Sequence, residues 1–252
     1  MTKVIAFSIQ KGGSGKTTSV VNIGAGLARK GNKVLLIDLD AQANLSQCFG
    51  LPEPEKSVSD VLVRRDSMPI QTINDHIDIV PANLALANID LQLAAMFQRE
   101  MLLKKALEQV KDDYDFVLID CPPTLGILVI NALVASDYVL IPMQSQYLAT
   151  SGFKMLYDTV AMVNENMNEK LRILGVFMTY YDDRKKLNKT SREMIKTDFG
   201  DLFMETFIRN NISLAEAPVK GKDIFSYKPS SNGAKDYEAL VNEVLSRLHE
   251  KE

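Results

Sequence analysis

The sequence predicts a doubly wound α/β fold: a mostly parallel sheet with helices on both faces. Two observations predict it. Short, continuous runs of β-branched and apolar residues recur along the chain, as strands buried on both sides require. Stretches with helical periodicity fall between them, so each strand-to-strand connection reads as a βαβ crossover.

The strand runs are "VIAFSI" (4–9), "KVLLIDLD" (33–40), "IDIVPA" (77–82), "DFVLIDCPP" (115–123), "DYVLIPM" (137–143) and "RILGVFMT" (172–179). Each is too short and too evenly apolar for an amphipathic helix. Helices are predicted at 16–30, 84–110, 125–135, 151–166, 190–199 and 233–249. Segment 50–75, with Pro52, Pro54 and scattered charges, reads as a surface excursion. Motifs run from residue 11 to beyond 200, so one domain over 1–252 is expected.

Bulk properties narrow the class. The 252 residues can bury a large core, and the net charge of −3 argues against a chain that is basic all over. Two distant cysteines, Cys48 and Cys121, suggest neither a zinc ribbon nor an iron–sulfur site and fit a reducing cytoplasm. Neither a signal peptide nor an apolar run near the roughly 20 residues that span a bilayer is found. A soluble cytoplasmic protein is the expectation.

The chemistry begins at "KGGSGKTT" (11–18), after the first strand and opening the first helix. The ordinary phosphate loop is Gly-x-x-x-x-Gly-Lys-[Ser/Thr]. Here its first glycine is missing, because residue 10 is Gln. Gly12, Gly13 and Gly15 still let backbone N–H groups turn towards a phosphate chain, with Ser14 between them, and the helix N-terminus adds its positive end. Lys16 is placed to reach the β- and γ-phosphates, the Thr17 hydroxyl to bind Mg²⁺, and Thr18 to close the loop.

With Lys11, the stretch matches the deviant Walker A signature KGGxGKT[ST] in full, and the chain resembles the ParA/MinD ATPases. The resemblance implies that Lys11 crosses an ATP sandwich dimer and touches the phosphates bound by the other subunit. Related arginine fingers supply roughly 10³–10⁵ in rate. "LLIDLDAQANLS" (35–46) is similar to the family's DxDPQGN element. It puts Asp40 in the position that orients the attacking water, with Asp38 supporting the metal shell. Ala41 and Ala43 depart from the usual Pro and Gly, so the stiffness of this loop should differ. In "FVLIDCPP" (116–123) the resemblance is to the third element, and four apolar residues set Asp120 at a strand's C-terminal end, where a carboxylate can hold Mg²⁺ through water. Cys121 reads as a small buried apolar residue.

"ISLAEAPVKGKDIFSYKPSSNGAKDY" (212–237) resembles the C-terminal part of the Soj-like partition ATPases, so the likeness covers nearly the whole chain. It implies adenine contacts from Asn211 and Pro218. Other branches fit less well. "YEALVNEVLSRLHEKE" mixes acids and bases around an apolar stripe, unlike a basic membrane-binding helix. The ten residues before Lys11 leave no space for an N-terminal helix-turn-helix domain.

The small Soj-like type implies a DNA-segregation switch that uses ATP and Mg²⁺. It would form a homodimer on ATP binding, hold non-specific double-stranded DNA, and answer to a ParB-like centromere-binding protein at the nucleoid. Residues 184–235 carry eleven Lys/Arg against six Asp/Glu, a net +5 in an acidic chain. Arg184, Lys185, Lys186, Lys189, Arg209, Lys220, Lys222, Lys228 and Lys235 are the candidate phosphate contacts. Several places where the family often has arginine here read Asn210, Ser213, Ser230 and Asn232. Two alternatives stay open: a ParA-like regulator or scaffold acting on a protein without DNA, and a MinD-like positioning ATPase at the membrane.

Overall fold

A computed structural model describes residues 1–144 and 150–251. Its strands are β1 (Lys3–Phe7), β2 (Val34–Asp38), β3 (Gln71–Asn74), β4 (Ile77–Val80), β5 (Phe116–Asp120), β6 (Tyr138–Gln144), β7 (Arg172–Tyr181) and β8 (Phe203–Arg209). They form one sheet in the order β3-β4-β2-β5-β1-β6-β7-β8. Only β3–β4 is antiparallel. The helices are α1 (Lys16–Ala28), α2 (Asn44–Cys48), α3 (Val58–Arg64), α4 (Ile89–Leu93), α5 (Leu102–Leu107), α6 (Ile127–Ala135), α7 (Thr150–Asn166), α8 (Lys186–Phe199), α9 (Ile212–Val219), α10 (Ile224–Tyr227) and α11 (Asn232–Glu250).

Side chains on successive strand residues point to opposite faces, and both faces are buried. Ile5, Phe7, Leu36, Leu118 and Leu140 pack under α1, α10 and α11. Val4, Ala6, Ile37, Ile119 and Ile141 pack under α3 to α7. The doubly wound architecture expected from the strand runs is therefore present.

The site is positioned by register. Phe7 on β1 and Asp38 on β2 both lie level with Asp120 on β5. β1 is central, with β5 on one side and β6 on the other, so the winding reverses beside it. Loops leaving the C-terminal ends of β1, β2 and β5 thus open on one crevice, the usual ligand position in open α/β sheets.

The structure departs from the sequence expectation in several elements, among them the short helices α2, α9 and α10. The expected surface excursion 50–75 contains α3 and β3. A capping box starts α3: Ser57 Oγ accepts from Ser59 N, and Asp60 accepts from Ser57 N at 3.0 Å. The expected helix 84–110 is broken into short turns, with Gln98 at φ 56. Buried Asn131 of α6 takes over part of its hydrogen bonding: Nδ2 donates to Arg99 O and Oδ1 accepts from Leu103 N. β8 is an additional strand, added to the edge beside β7.

Candidate nucleotide-binding site

The loop between β1 and α1 is held from outside. Gln144 Nε2 at the end of β6 donates to Gly13 O at 2.6 Å, and Thr179 Oγ1 on β7 donates to Ser14 O at 2.9 Å. Gly13 (φ 68) and Gly15 (φ 86) take left-handed backbone that other residues adopt only at a cost. A Cβ at Gly15 would make only ordinary contact with Thr179, at 3.4 Å, so the backbone conformation is what calls for glycine there. The first N–H groups of α1 have no intrahelical acceptor and carry the positive end of its dipole. Lys16 is buried beside them and its Nζ donates to Lys11 O at 3.3 Å. Behind the loop, Ser19 Oγ donates to Gly15 O and meets the buried Tyr237 hydroxyl at 3.0 Å.

Under the loop lie two buried carboxylates on adjacent strand ends. Thr17 Oγ1 donates to Asp120 Oδ2 at 2.6 Å. The other oxygen, Asp120 Oδ1, is buried with no partner. Burial, and then the charge of Asp38, push the Asp120 carboxyl up; the Thr17 hydrogen bond and the Lys16 charge oppose them. Burial likewise raises Asp38. A carboxylate with one orphaned oxygen behind a threonine hydroxyl offers oxygen donors of the kind that hard Mg²⁺ takes beside phosphates and water.

Asp38 is fastened within the fold. The resemblance assigns it to the metal shell, yet both of its oxygens are taken by protein donors. Oδ1 accepts from Asp40 N at 3.1 Å, while Oδ2 accepts from Ser46 N at 2.9 Å and Ser46 Oγ at 2.7 Å. Asp40 itself is part-exposed, and its Oδ1 accepts from Gln42 N at 3.0 Å.

A cavity of about 620 Å³ runs along the loop. Residues Gly12, Gly13, Ser14, Gly15, Lys16, Thr17 and Thr18 form one wall. Asp40 and Gln42 form another, and Tyr180 with Pro218 stands at its rim. Asp120 reaches the cavity only through Thr17, and Lys11 lies outside the wall. Asn211 is not brought there: its Oδ1 accepts from Ser213 N at 2.9 Å and caps α9.

Tyr180 is among the residues that sequence reasoning missed, with the loop-holding Gln144 and Thr179. Its side chain is 46% exposed and its backbone sits at φ 53, an unfavourable conformation of the kind stored at functional sites. The available signal was its place at the C-terminal end of a predicted strand. The thiols are inert by environment: burial pushes Cys48 up to about 12 and Cys121 higher still.

Among the candidate cations, Lys220, Lys222, Lys228 and Lys235 are exposed. Arg209 corrects an expectation. Its guanidinium donates to both oxygens of buried Asp236, with Nη2 at 2.5 Å from Oδ1, so its charge is already matched within the fold. Exposed Arg184 is likewise paired with Asp182 at 2.9 Å.

Residues 2–173 match a family model described as an AAA domain. The chain is 44% identical to the sporulation initiation inhibitor protein Soj of Bacillus subtilis (strain 168), over 98% of this chain and 99% of that protein. It belongs to the Soj/ParA family of partition ATPases. Soj of Treponema pallidum (strain Nichols), a chromosome-partitioning ATPase, is 42% identical over 98% of both chains. A solved structure titled cobyrinic acid a,c-diamide synthase from Mycobacterium smegmatis, with bound ATP analogue and magnesium, superposes at a TM-score of 0.87. It is 31% identical, covering 100% of this chain and 98% of that one. Across the Soj/ParA relatives and this neighbour the likeness spans sheet, phosphate loop and C-terminal helices together.

Proposed function

We propose that this Soj/ParA chain is an ATP-hydrolysing segregation switch, acting over 1–252 as one ATPase unit. ATP and Mg²⁺ are its cofactors. The observation that carries this reading is the Thr17–Asp120 pair, with one buried carboxylate oxygen left unpartnered beside Lys16. Thr17 directly and Asp120 through water would hold the ion, which supplies charge neutralisation at the β- and γ-phosphates. The loop N–H groups and Lys16 bind the phosphates. Pro218 and the C-terminal segment border the base. Asp40 accepts a hydrogen bond from the attacking water and orients it in line with the γ-phosphate.

Lys11 lies outside the wall of its own cavity, which suits a residue that serves the partner's phosphates in an ATP-bound homodimer. That dimer would bind non-specific double-stranded DNA through exposed lysines such as Lys220, Lys222, Lys228 and Lys235. A ParB-like protein would stimulate hydrolysis and release it, so the cytoplasmic protein would be associated with the nucleoid while ATP holds the dimer. Membrane positioning is disfavoured by α11, whose apolar face (Tyr237, Leu240, Val241, Val244) is spent inside the fold. Among the described residues no helix is long and apolar enough to cross a membrane. A diamide-synthase role like that of the mycobacterial neighbour is disfavoured by the higher identity to both Soj proteins.

The test is retention on long non-specific duplex DNA with no nucleotide, with ADP, with ATP, and with ATP plus Asp40→Ala. Retention with ATP alone, strengthened by Asp40→Ala and lost with Lys11→Ala, is expected. ATP-driven dimerisation with no DNA retention in any state would instead favour a scaffold acting on a protein partner.

A further inference from the structure

The loop that carries Asp40 is fastened by a buried hydroxyl. Ser46, on α2, is fully buried, as is Asp38. Its Oγ donates to Asp38 Oδ2 at 2.7 Å and accepts from Ala82 N at 2.9 Å, just past β4. Its own N–H donates to the same Asp38 oxygen at 2.9 Å. The other Asp38 oxygen accepts from Asp40 N at 3.1 Å. One carboxylate thus holds both ends of the 40–46 loop, and one hydroxyl ties that carboxylate to the next strand.

We propose that Asp38 and Ser46 are positioning residues for hydrolysis: together with the Ala82 N–H they clamp the 40–46 loop and so set where the Asp40 carboxylate stands against the attacking water. This inference rests on the reading of Asp40 given above. The chemistry is demanding in a specific way. Ser46 Oγ must donate and accept at once, which alanine cannot do, and it does so where water has no access. Losing the hydroxyl leaves Ala82 N–H without an acceptor and removes one of two donors from Asp38 Oδ2. The loop can then drift by the few tenths of an ångström to which an in-line attack is sensitive. The phosphate loop, Thr17 and Asp120 lie on β1, α1 and β5 and keep their own hydrogen bonds, so binding of Mg²⁺–nucleotide is separable from this clamp.

The separation is the test. Ser46→Ala and Asp38→Asn are each assayed for ATP turnover, nucleotide affinity, Mg²⁺ half-saturation and amide hydrogen exchange across residues 40–46. Expected for both is a fall of at least tenfold in kcat; nucleotide affinity and Mg²⁺ half-saturation stay within about twofold of wild type in Ser46→Ala, whereas Asp38→Asn also removes a charge that bears on Asp120. Exchange across 40–46 should be faster, and exchange in α1 unchanged. A large rise in Mg²⁺ half-saturation in Ser46→Ala that excess metal reverses would overturn the proposal and return Asp38 to the metal shell. Wild-type kcat in a folded Ser46→Ala protein would also overturn it. If Asp38→Asn fails to fold, the Ser46→Ala arm decides. The exchange measurement needs no turnover: faster exchange in a protein whose wild type hydrolyses nothing would sink the ATPase reading while leaving the clamp standing.

Discussion

Thr17 donates its hydroxyl hydrogen to Asp120 across 2.6 Å, joining the first turn of α1 to the end of β5. The bond links two motifs 103 residues apart and holds the threonine rotamer towards the carboxylate. If Thr17 and Asp120 serve one ion, replacing either should weaken Mg²⁺ without unfolding the sheet. Thr17→Val keeps the side chain's shape and removes only the hydroxyl. A rise of tenfold or more in the Mg²⁺ concentration for half-maximal turnover is expected, with metal-free nucleotide affinity little changed. An unchanged Mg²⁺ titration would remove Thr17 from the ion's shell.

The same carboxylate predicts a pH dependence. Burial raises Asp120 from its ordinary 3.8 to about 8 in the folded, metal-free chain. A folded pKa above the unfolded one means the folded state holds its proton more tightly. The stability this contributes is complete below pH 4 and is lost as pH rises towards 8. Metal-free wild type should therefore melt at progressively lower temperature between pH 5 and 8, relative to Asp120→Asn. Parallel melting curves for the two proteins across this range would show that Asp120 is ionised throughout.

The sequence made the central strands and the phosphate loop readable because both are locally encoded. Short apolar runs rich in β-branched residues and closed by Asp or Pro read as doubly covered strands, and glycines around Lys16 between strand and helix have few other uses. What stayed hidden depends on partners distant in the chain. The broken course of 84–110 needs Asn131, on α6, to accept and donate in place of helical bonds. Asp38 and Asp40 both stand at a strand's end, so their division into loop anchor and exposed carboxylate waits on Ser46 and Ala82. Nothing near Arg209 in sequence announces Asp236 as its partner.

Ala43 stands where the resembling element has glycine, and its backbone keeps the left-handed conformation, φ 51, at the start of α2. Such a conformation costs a non-glycine residue about 1–2 kcal/mol. Glycine would relieve that strain but give the unfolded chain about 0.4–1 kcal/mol of added entropy. Glycine also loses a buried methyl worth about 0.8 kcal/mol, so the three effects nearly cancel and Ala43→Gly should change stability by less than about 1 kcal/mol, read as a urea midpoint close to wild type at unchanged slope. A loss above about 1 kcal/mol would mean that this loop holds no strain for glycine to relieve.

Arg209 and the lysines around it should separate cleanly in DNA binding. The Arg209 side chain is 39% exposed, but it is committed to Asp236, whose Oδ2 also accepts from Arg209 N at 3.0 Å. Asp236→Ala strips the acceptor from that N–H and from the guanidinium, so a loss of about 1–3 kcal/mol in stability is expected. Arg209→Ala should cost at least as much, because it leaves the buried Asp236 carboxylate with only the residue-209 N–H as a donor. Neither change should lower the salt dependence of DNA retention by a full phosphate contact. Lys222→Ala and Lys228→Ala, both exposed, should cost no measurable stability. Each should make the slope of log affinity against log salt shallower by about 0.9 if that lysine neutralises one phosphate. A shallower slope for Arg209→Ala, with the lysine variants unchanged, would reverse this assignment and mean that the Asp236 pair opens when DNA is bound.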